Sequence, residues 1–190
     1  ESSGARAAAE TLAAMRAAGE DGREHLTLFV ENGRIKDVAD GSRLLSGLRR
    51  IAEIHDGEFR LTGNQNVIVA NVAPERRPEI EAVVAEFGLQ DGAGALRRNA
   101  MACVALPTCG LALAESERYL PALVTILEER LARHGLAEDE VTIRMTGCPN
   151  GCARPYIAEI GLVGKGPGRY NLYLGAAFDG SRLSKLYLDD

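Results

Sequence analysis

Four cysteines in two short pairs constrain this chain more than any other feature. Cys103 and Cys109 bound a C-x5-C segment, CVALPTC, and Cys148 and Cys152 bound a C-x3-C segment, CPNGC. Each pair sits in a Gly- or Pro-bearing loop beside a segment of regular structure, so thiolates from two loops are free to converge. Four thiolates in two pairs suit an iron–sulfur cluster or a tetrahedral zinc. Structural zinc pairs usually enclose two to four residues within polar knuckles. The wider first gap, and the Ala, Leu and Pro around these cysteines, favour the cluster, with zinc and buried or disulfide-bonded cysteines as the alternatives. Disulfides are disfavoured because nothing in the sequence indicates export to an oxidising compartment.

The rest of the composition bounds the class. Of the 190 residues 46% are hydrophobic and 26% charged, which is the balance of a globular protein. No apolar run approaches the length of a membrane span. The opening ESSGARAAAETLAAMRAAGE carries acids and lacks an apolar core, so it does not read as a signal peptide, and a cytoplasmic location is expected. A net charge of −5 gives little reason to expect nucleic acid as a partner. With 21 glycines and only 5% aromatics, the chain should have many tight turns and an aliphatic core.

Periodicity divides the chain into three parts. Residues 1–24 read as a linker or a loosely docked helix, since only Leu12, Met15 and scattered alanines offer an apolar face. Order is expected from His25. HLTLFV alternates like a strand, Glu31-Asn32-Gly33 reads as a hairpin turn, and RIKDV reads as the returning strand. Ser42 is placed to cap a helix carrying Leu44, Leu45, Leu48 and Ile51, and Gly57 ends it. EFRLT and NVIVANV form two more strands, and Pro78 opens a second helix. Residues 25–90 thus make a compact α+β unit. After a break at DGAGA, residues 91–190 hold a helix from Pro121 and the strands VTIRMT, IAEIGLVG and YNLYLG. The chain ends at LYLDD without an evident capping element, which suggests a C-terminally truncated second domain.

Basic residues gather around the cysteine loops: Arg97 and Arg98 before the first pair, Arg144 before the second, and Arg154, Lys165 and Arg169 after it. In an acidic protein, local positive charge of this kind suits an anionic ligand or a cofactor rich in carboxylates, against ordinary surface charge as the plain alternative. Asn150, between two cysteines, is either a ligand-orienting amide or a turn residue of Pro-Asn-Gly.

These segments carry a resemblance. MACVALPTCGLALAESERYLP followed by RMTGCPNGCARPYIAEIGLVGKGPGRYNLYLG, with HLTLFVENGRIKD and FRLTGNQNVIVANV upstream, is similar to the nitrite/sulfite reductase family, in the assimilatory sulfite-reducing hemoprotein branch. The resemblance covers roughly residues 25 to 185 and implies a ferredoxin-like half-domain followed by a siroheme- and cluster-binding domain, α+β throughout. It implies a 4Fe-4S cluster on Cys103, Cys109, Cys148 and Cys152, with Cys152 also the axial ligand of siroheme iron, so that one sulfur joins the two centres. It further implies that Gln65 and Asn150 contact the siroheme, with Arg97 and Arg154 as cofactor-binding candidates. The implied reaction is the six-electron reduction of sulfite to sulfide, with a flavoprotein reductase or a ferredoxin as electron donor. A cluster-binding electron-transfer module without catalysis, or a nitrite-reducing relative, is the alternative. The family chain is longer and built as two related halves. The basic residues that clasp sulfite belong to the half lacking here, so no catalytic residue is assigned, and that half or a second chain is the expected partner.

Overall fold

The computed structural model describes residues 16–19, 22–89 and 93–189. The chain divides into two compact units, residues 1–92 and 93–190.

The first unit is a four-stranded antiparallel sheet with two helices. Its strands are β1 (Arg16–Ala18), β2 (Glu24–Leu28), β3 (Glu58–Leu61) and β4 (Val67–Val72), in the order β1-β2-β4-β3. Leu26 and Leu28 of β2 and Val67, Val69 and Val72 of β4 put alternate side chains into the core. Helix α1 (Leu44–Ile54) adds Leu44 and Ile51, and helix α2 (Arg77–Glu86), with Pro78 in its first turn, adds Ile80, Val83 and Val84. Gly47 lies where the two helices meet. A Cβ there would stand 2.8 Å from Leu89 and 3.0 Å from Phe87.

Three expectations change here. RIKDV does not return as a strand: Glu31–Gly33 is a 3-10 turn, and the following segment keeps only an isolated bridge between Asp37 and Arg43. The reason is that both edges of β2 are already occupied, by β1 on one side and β4 on the other. Ser42 is not the helix cap. Arg43 flanks the first turn of α1, and the Asp37 carboxylate accepts the Ser46 N–H at 3.0 Å and the Ser46 hydroxyl at 2.7 Å, reaching in from the preceding loop. Order also begins before His25, since Arg16–Ala18 is a strand and Arg16 pairs with Glu24 and Glu81. Residues 1–15 and 20–21 of the expected arm lie outside the described residues, as do residues 91–92 of the expected break at 91–95.

The second unit carries the cysteines on a five-stranded sheet: β5 (Ala100–Ala102), β6 (Ile143–Thr146), β7 (Ile160–Gly166), β8 (Arg169–Leu174) and β9 (Lys185–Leu188), in sequential order. β5-β6 and β6-β7 are parallel and the other two pairs antiparallel. The short helix α3 (Ala95–Arg98) precedes β5, and α4 (Leu120–Arg133) makes the crossover from β5 to β6. Leu120 and Val124 of α4 cover Ile143 and Met145 on one sheet face. β5 and β9 are the two strands not foreseen, each only three or four residues long with no alternation to mark it. No helix among the described residues is long and apolar enough to cross a membrane.

Candidate functional site

The parallel pairing of β5 with β6 brings the cysteine segments together. Ala102 lies opposite Met145 in register, so Cys103 and Cys148 leave the same ends of neighbouring strands. Main-chain hydrogen bonds continue past the strand ends: Cys103 N–H donates to Met145 O at 3.1 Å, and Glu117 N–H donates to Cys103 O at 3.1 Å. The end of parallel strands, where loops are free of the sheet, is the usual position for a ligand site in such an architecture.

Gly147 is the joint between the two loops. Its N–H donates to Cys103 Sγ at 3.3 Å, while its carbonyl accepts Leu113 N–H at 2.8 Å and Ala114 N–H at 3.0 Å. A Cβ at this position would stand 2.6 Å from both Ala105 Cβ and Ala114 O, so only glycine fits. Gly164 on β7 is packed just as closely, 2.5 Å from Gly147 O for a notional Cβ. Buried Thr146 points its hydroxyl toward Cys103 Sγ at 3.5 Å and Cys148 O at 3.4 Å. Donors aimed at a sulfur favour its thiolate form and tune any metal it binds.

The loops differ in how they turn. In the first, Cys109 N–H donates to Ala105 O at 2.8 Å and Ala112 N–H donates to Cys109 O at 3.1 Å, with Ala105 at φ 49°. In the second, Gly151 at φ 68° bonds back to Cys148 O, and Arg154 at φ 55° bonds to Gly151 O at 2.7 Å. The Tyr156 ring lies under Gly151, where a Cβ would come within 3.3 Å of it, and meets Tyr173 edge-on at 5.0 Å. Burial, Tyr173 and Cys148 together hold the Tyr156 phenol above its ordinary pKa, so it stays protonated beside the cysteine.

All four cysteines are free thiols, and they are graded in exposure. Cys148 is buried, Cys103 and Cys109 are half-buried, and Cys152 is exposed. Among the described residues no three His, Cys, Asp or Glu side chains close around a site the size of one metal ion. A tetrahedral zinc needs thiolates about 2.3 Å from one centre. The four thiols lie on two loops tied together at Gly147, with Cys148 the most enclosed and Cys152 the most open.

The other candidates fall in different places. Asn150 is exposed in the CPNGC turn. Arg154 rests its guanidinium on Met101 Sδ at 3.7 Å. Arg97 is engaged by α4, donating to Thr125 Oγ1 at 2.9 Å and to Glu128 at 2.7 Å, so an anionic ligand would compete with a carboxylate already in place. Gln65 belongs to the first unit. It has φ 66°, its N–H donates to Thr62 O at 3.1 Å, and its side chain packs over Gly33. Sequence reasoning missed Gly147, Gly164 and Tyr156. Gly147 directly precedes Cys148, and that adjacency was the one available signal.

Residues 17–87 match the nitrite/sulfite reductase ferredoxin-like half domain. A protein of Methylobacterium sp. strain 4-46, named sulfite reductase (NADPH) hemoprotein beta-component, is 76% identical over 172 residues, which cover 90% of this chain and 29% of the relative. The chain belongs to the nitrite/sulfite reductase family. A Geobacillus kaustophilus protein of the same name is 62% identical over 174 residues, covering 90% of this chain and 30% of that one. The Mycobacterium tuberculosis NirA protein shares the fold, with a TM-score of 0.70 at 24% identity over 92% of this chain and 33% of NirA. The chain therefore spans under a third of the length of the two relatives named sulfite reductase hemoprotein beta-component.

Proposed function

We propose that this chain is the cluster-bearing segment of a sulfite-reducing hemoprotein. Cys103, Cys109, Cys148 and Cys152 would hold a 4Fe-4S cluster, and Cys152 would also serve as the protein's ligand to siroheme iron. Bound together, the two groups would relay, one at a time, the six electrons that take sulfite to sulfide. The observation that carries this reading is the junction at Gly147, which ties the two cysteine loops together while Cys148 is buried and Cys152 exposed. The high identity to proteins named sulfite reductase hemoprotein beta-component supports it.

The chain's own residues would act by holding and insulating. Gly147 N–H and the Thr146 hydroxyl stabilise the Cys103 thiolate. The Ala- and Leu-containing first loop and the Tyr156–Tyr173 pair exclude water around Cys148, which strengthens each hydrogen bond to sulfur. Gln65, Asn150 and Arg154 are the candidates for contact with the cofactors, and Arg97 is a weaker one because Glu128 holds it. The groups that grip sulfite come from a further part of the protein, or from a second chain, and the electrons come from a flavoprotein or a ferredoxin. Four free thiols suit a reducing compartment such as the cytoplasm.

The test is the absorption spectrum of anaerobically purified protein, with iron and zinc assays. A broad brown shoulder with iron and labile sulfide is the expected result for the cluster, and a strong Soret band with a long-wavelength band for added siroheme. A colourless protein with stoichiometric zinc would overturn the reading.

A further inference from the structure

The sheet face turned away from α4 carries an unusual row of side chains. Ile143 and Met145 of β6 point into the core under α4, so Arg144 and Thr146 point to the opposite face. Register sets Met101, Arg144 and Gly161 side by side across β5, β6 and β7. One step further along the same face stand Cys103 and Thr146, already in contact through the Thr146 hydroxyl. Arg144 is therefore one side-chain row, about 7 Å along the strand, from a cysteine of the proposed cluster.

Arg144 is 8% exposed, a rare state for an arginine. A second guanidinium lies against the same row. Arg154, in a left-handed conformation just after the CPNGC turn, reaches Met101 Sδ at 3.7 Å. Gly161 makes the room: Pro155 O would lie 2.3 Å from any Cβ there, so the segment from Arg154 to Pro155 descends onto the sheet beside Arg144. Burial and the nearby charge of Arg154 both push the Arg144 pKa down.

We infer that Arg144 and Arg154 form a fixed positive pair behind the cysteine loops that favours the more reduced, more negatively charged state of the cluster. The pair is a tuning device and not a ligand. Four thiolates leave a 4Fe-4S cluster with a net negative charge that grows by one on reduction, so a nearby positive charge stabilises the reduced form more than the oxidised one. Arginine keeps its charge at any working pH, and one side-chain row is a separation well inside the Debye length. This inference rests on the proposed cluster.

The experiment is a redox titration of the anaerobically reconstituted 190-residue chain, followed by electron paramagnetic resonance of the reduced cluster. Arg144→Met is expected to shift the ratio of reduced to oxidised cluster at fixed potential by up to about tenfold toward oxidised, a fall of about 59 mV for one electron. Arg144→Lys keeps the charge and should recover most of the shift. Arg154→Gln, on the exposed side of the pair, leaves the core untouched and should give a smaller shift in the same direction, which decides the matter even if Arg144→Met fails to fold. Unchanged midpoint potentials in variants that retain full iron and sulfide would overturn the tuning role and leave the cluster intact. A wild-type chain that takes up no cluster would overturn the proposed function, and this inference with it.

Discussion

The main-chain N–H of Gly147 donates to the sulfur of Cys103 at 3.3 Å, across 44 residues of sequence. This contact links the two cysteine loops directly. It places a backbone donor on a sulfur, and it sits where β6 gives way to the CPNGC turn. A main-chain donor cannot be removed by changing its own side chain, so the contact survives any substitution that leaves the local backbone in place.

Gly147→Ala should disturb that backbone. The new methyl would meet Ala105 Cβ and Ala114 O at 2.6 Å, and neither is the end of a flexible side chain. Overpacking of this kind typically costs about 1 to 3 kcal/mol. Chemical denaturation should show the loss, and iron per chain after reconstitution should fall. A variant with wild-type stability and full iron content would show that the loops have more freedom than this packing allows.

The two half-exposed and exposed cysteines should not be equivalent. In protein reconstituted with cluster and siroheme, Cys152→Ser is expected to uncouple the two paramagnetic centres, while Cys103→Ser should mainly reduce cluster occupancy. Cys103 is already bound by two hydrogen-bond donors inside the loop junction, whereas Cys152 faces outward. Electron paramagnetic resonance of the heme and cluster signals makes the comparison. Equal losses of coupling in both variants would remove the special role of Cys152.

Asp37 predicts a pH effect in the first unit. Hydrogen bonds from the Ser46 hydroxyl and N–H hold its carboxyl below the ordinary carboxylate range. A group whose pKa is lowered by folding stabilises the fold above its unfolded value, and that stabilisation is lost as pH falls through the folded value. Asp37→Asn should therefore lower the melting temperature at neutral pH, and the difference from wild type should close as pH drops below about 3.9. A difference that persists unchanged into strong acid would mean that the carboxylate's charge is not what caps α1.

The isolated chain should show little sulfite reductase turnover even with a full cluster. It spans under a third of the length of the two relatives named sulfite reductase hemoprotein beta-component, and an anion must be held by converging positive groups in a dry site for this chemistry. The measurement is sulfide production from a strong artificial electron donor after anaerobic reconstitution with iron, sulfide and siroheme. Sustained turnover near that of a full-length homologue would show that self-association rebuilds the site.

Much of the local structure was readable from the residues. Alternation in NVIVANV and in HLTLFV marked β4 and β2, and the apolar spacing after Pro121 marked α4, because burial on one face imposes a period of two or about 3.6. RIKDV carried the same kind of signal and forms no strand, since local pattern does not reveal that both edges of β2 are taken. β9 and β5 were invisible for a related reason: short strands draw their order from neighbours and carry too few residues for a period.

At the site, the cysteine spacings and the flanking residues alone determined the chemistry to expect and the family to which the chain belongs. Ligand type is a property of side chains, and it is written directly in the order of residues. What only the tertiary structure decided is how that chemistry is held. Parallel pairing of β5 with β6 makes neighbours of segments about forty residues apart, and close packing at Gly147 turns a backbone amide onto Cys103. The same register lays Arg144 one row from that sulfur, while Arg97, nearer to Cys103 in sequence, is drawn off to Glu128. Sheet register and packing are set by the whole chain at once, and no local run of residues encodes them.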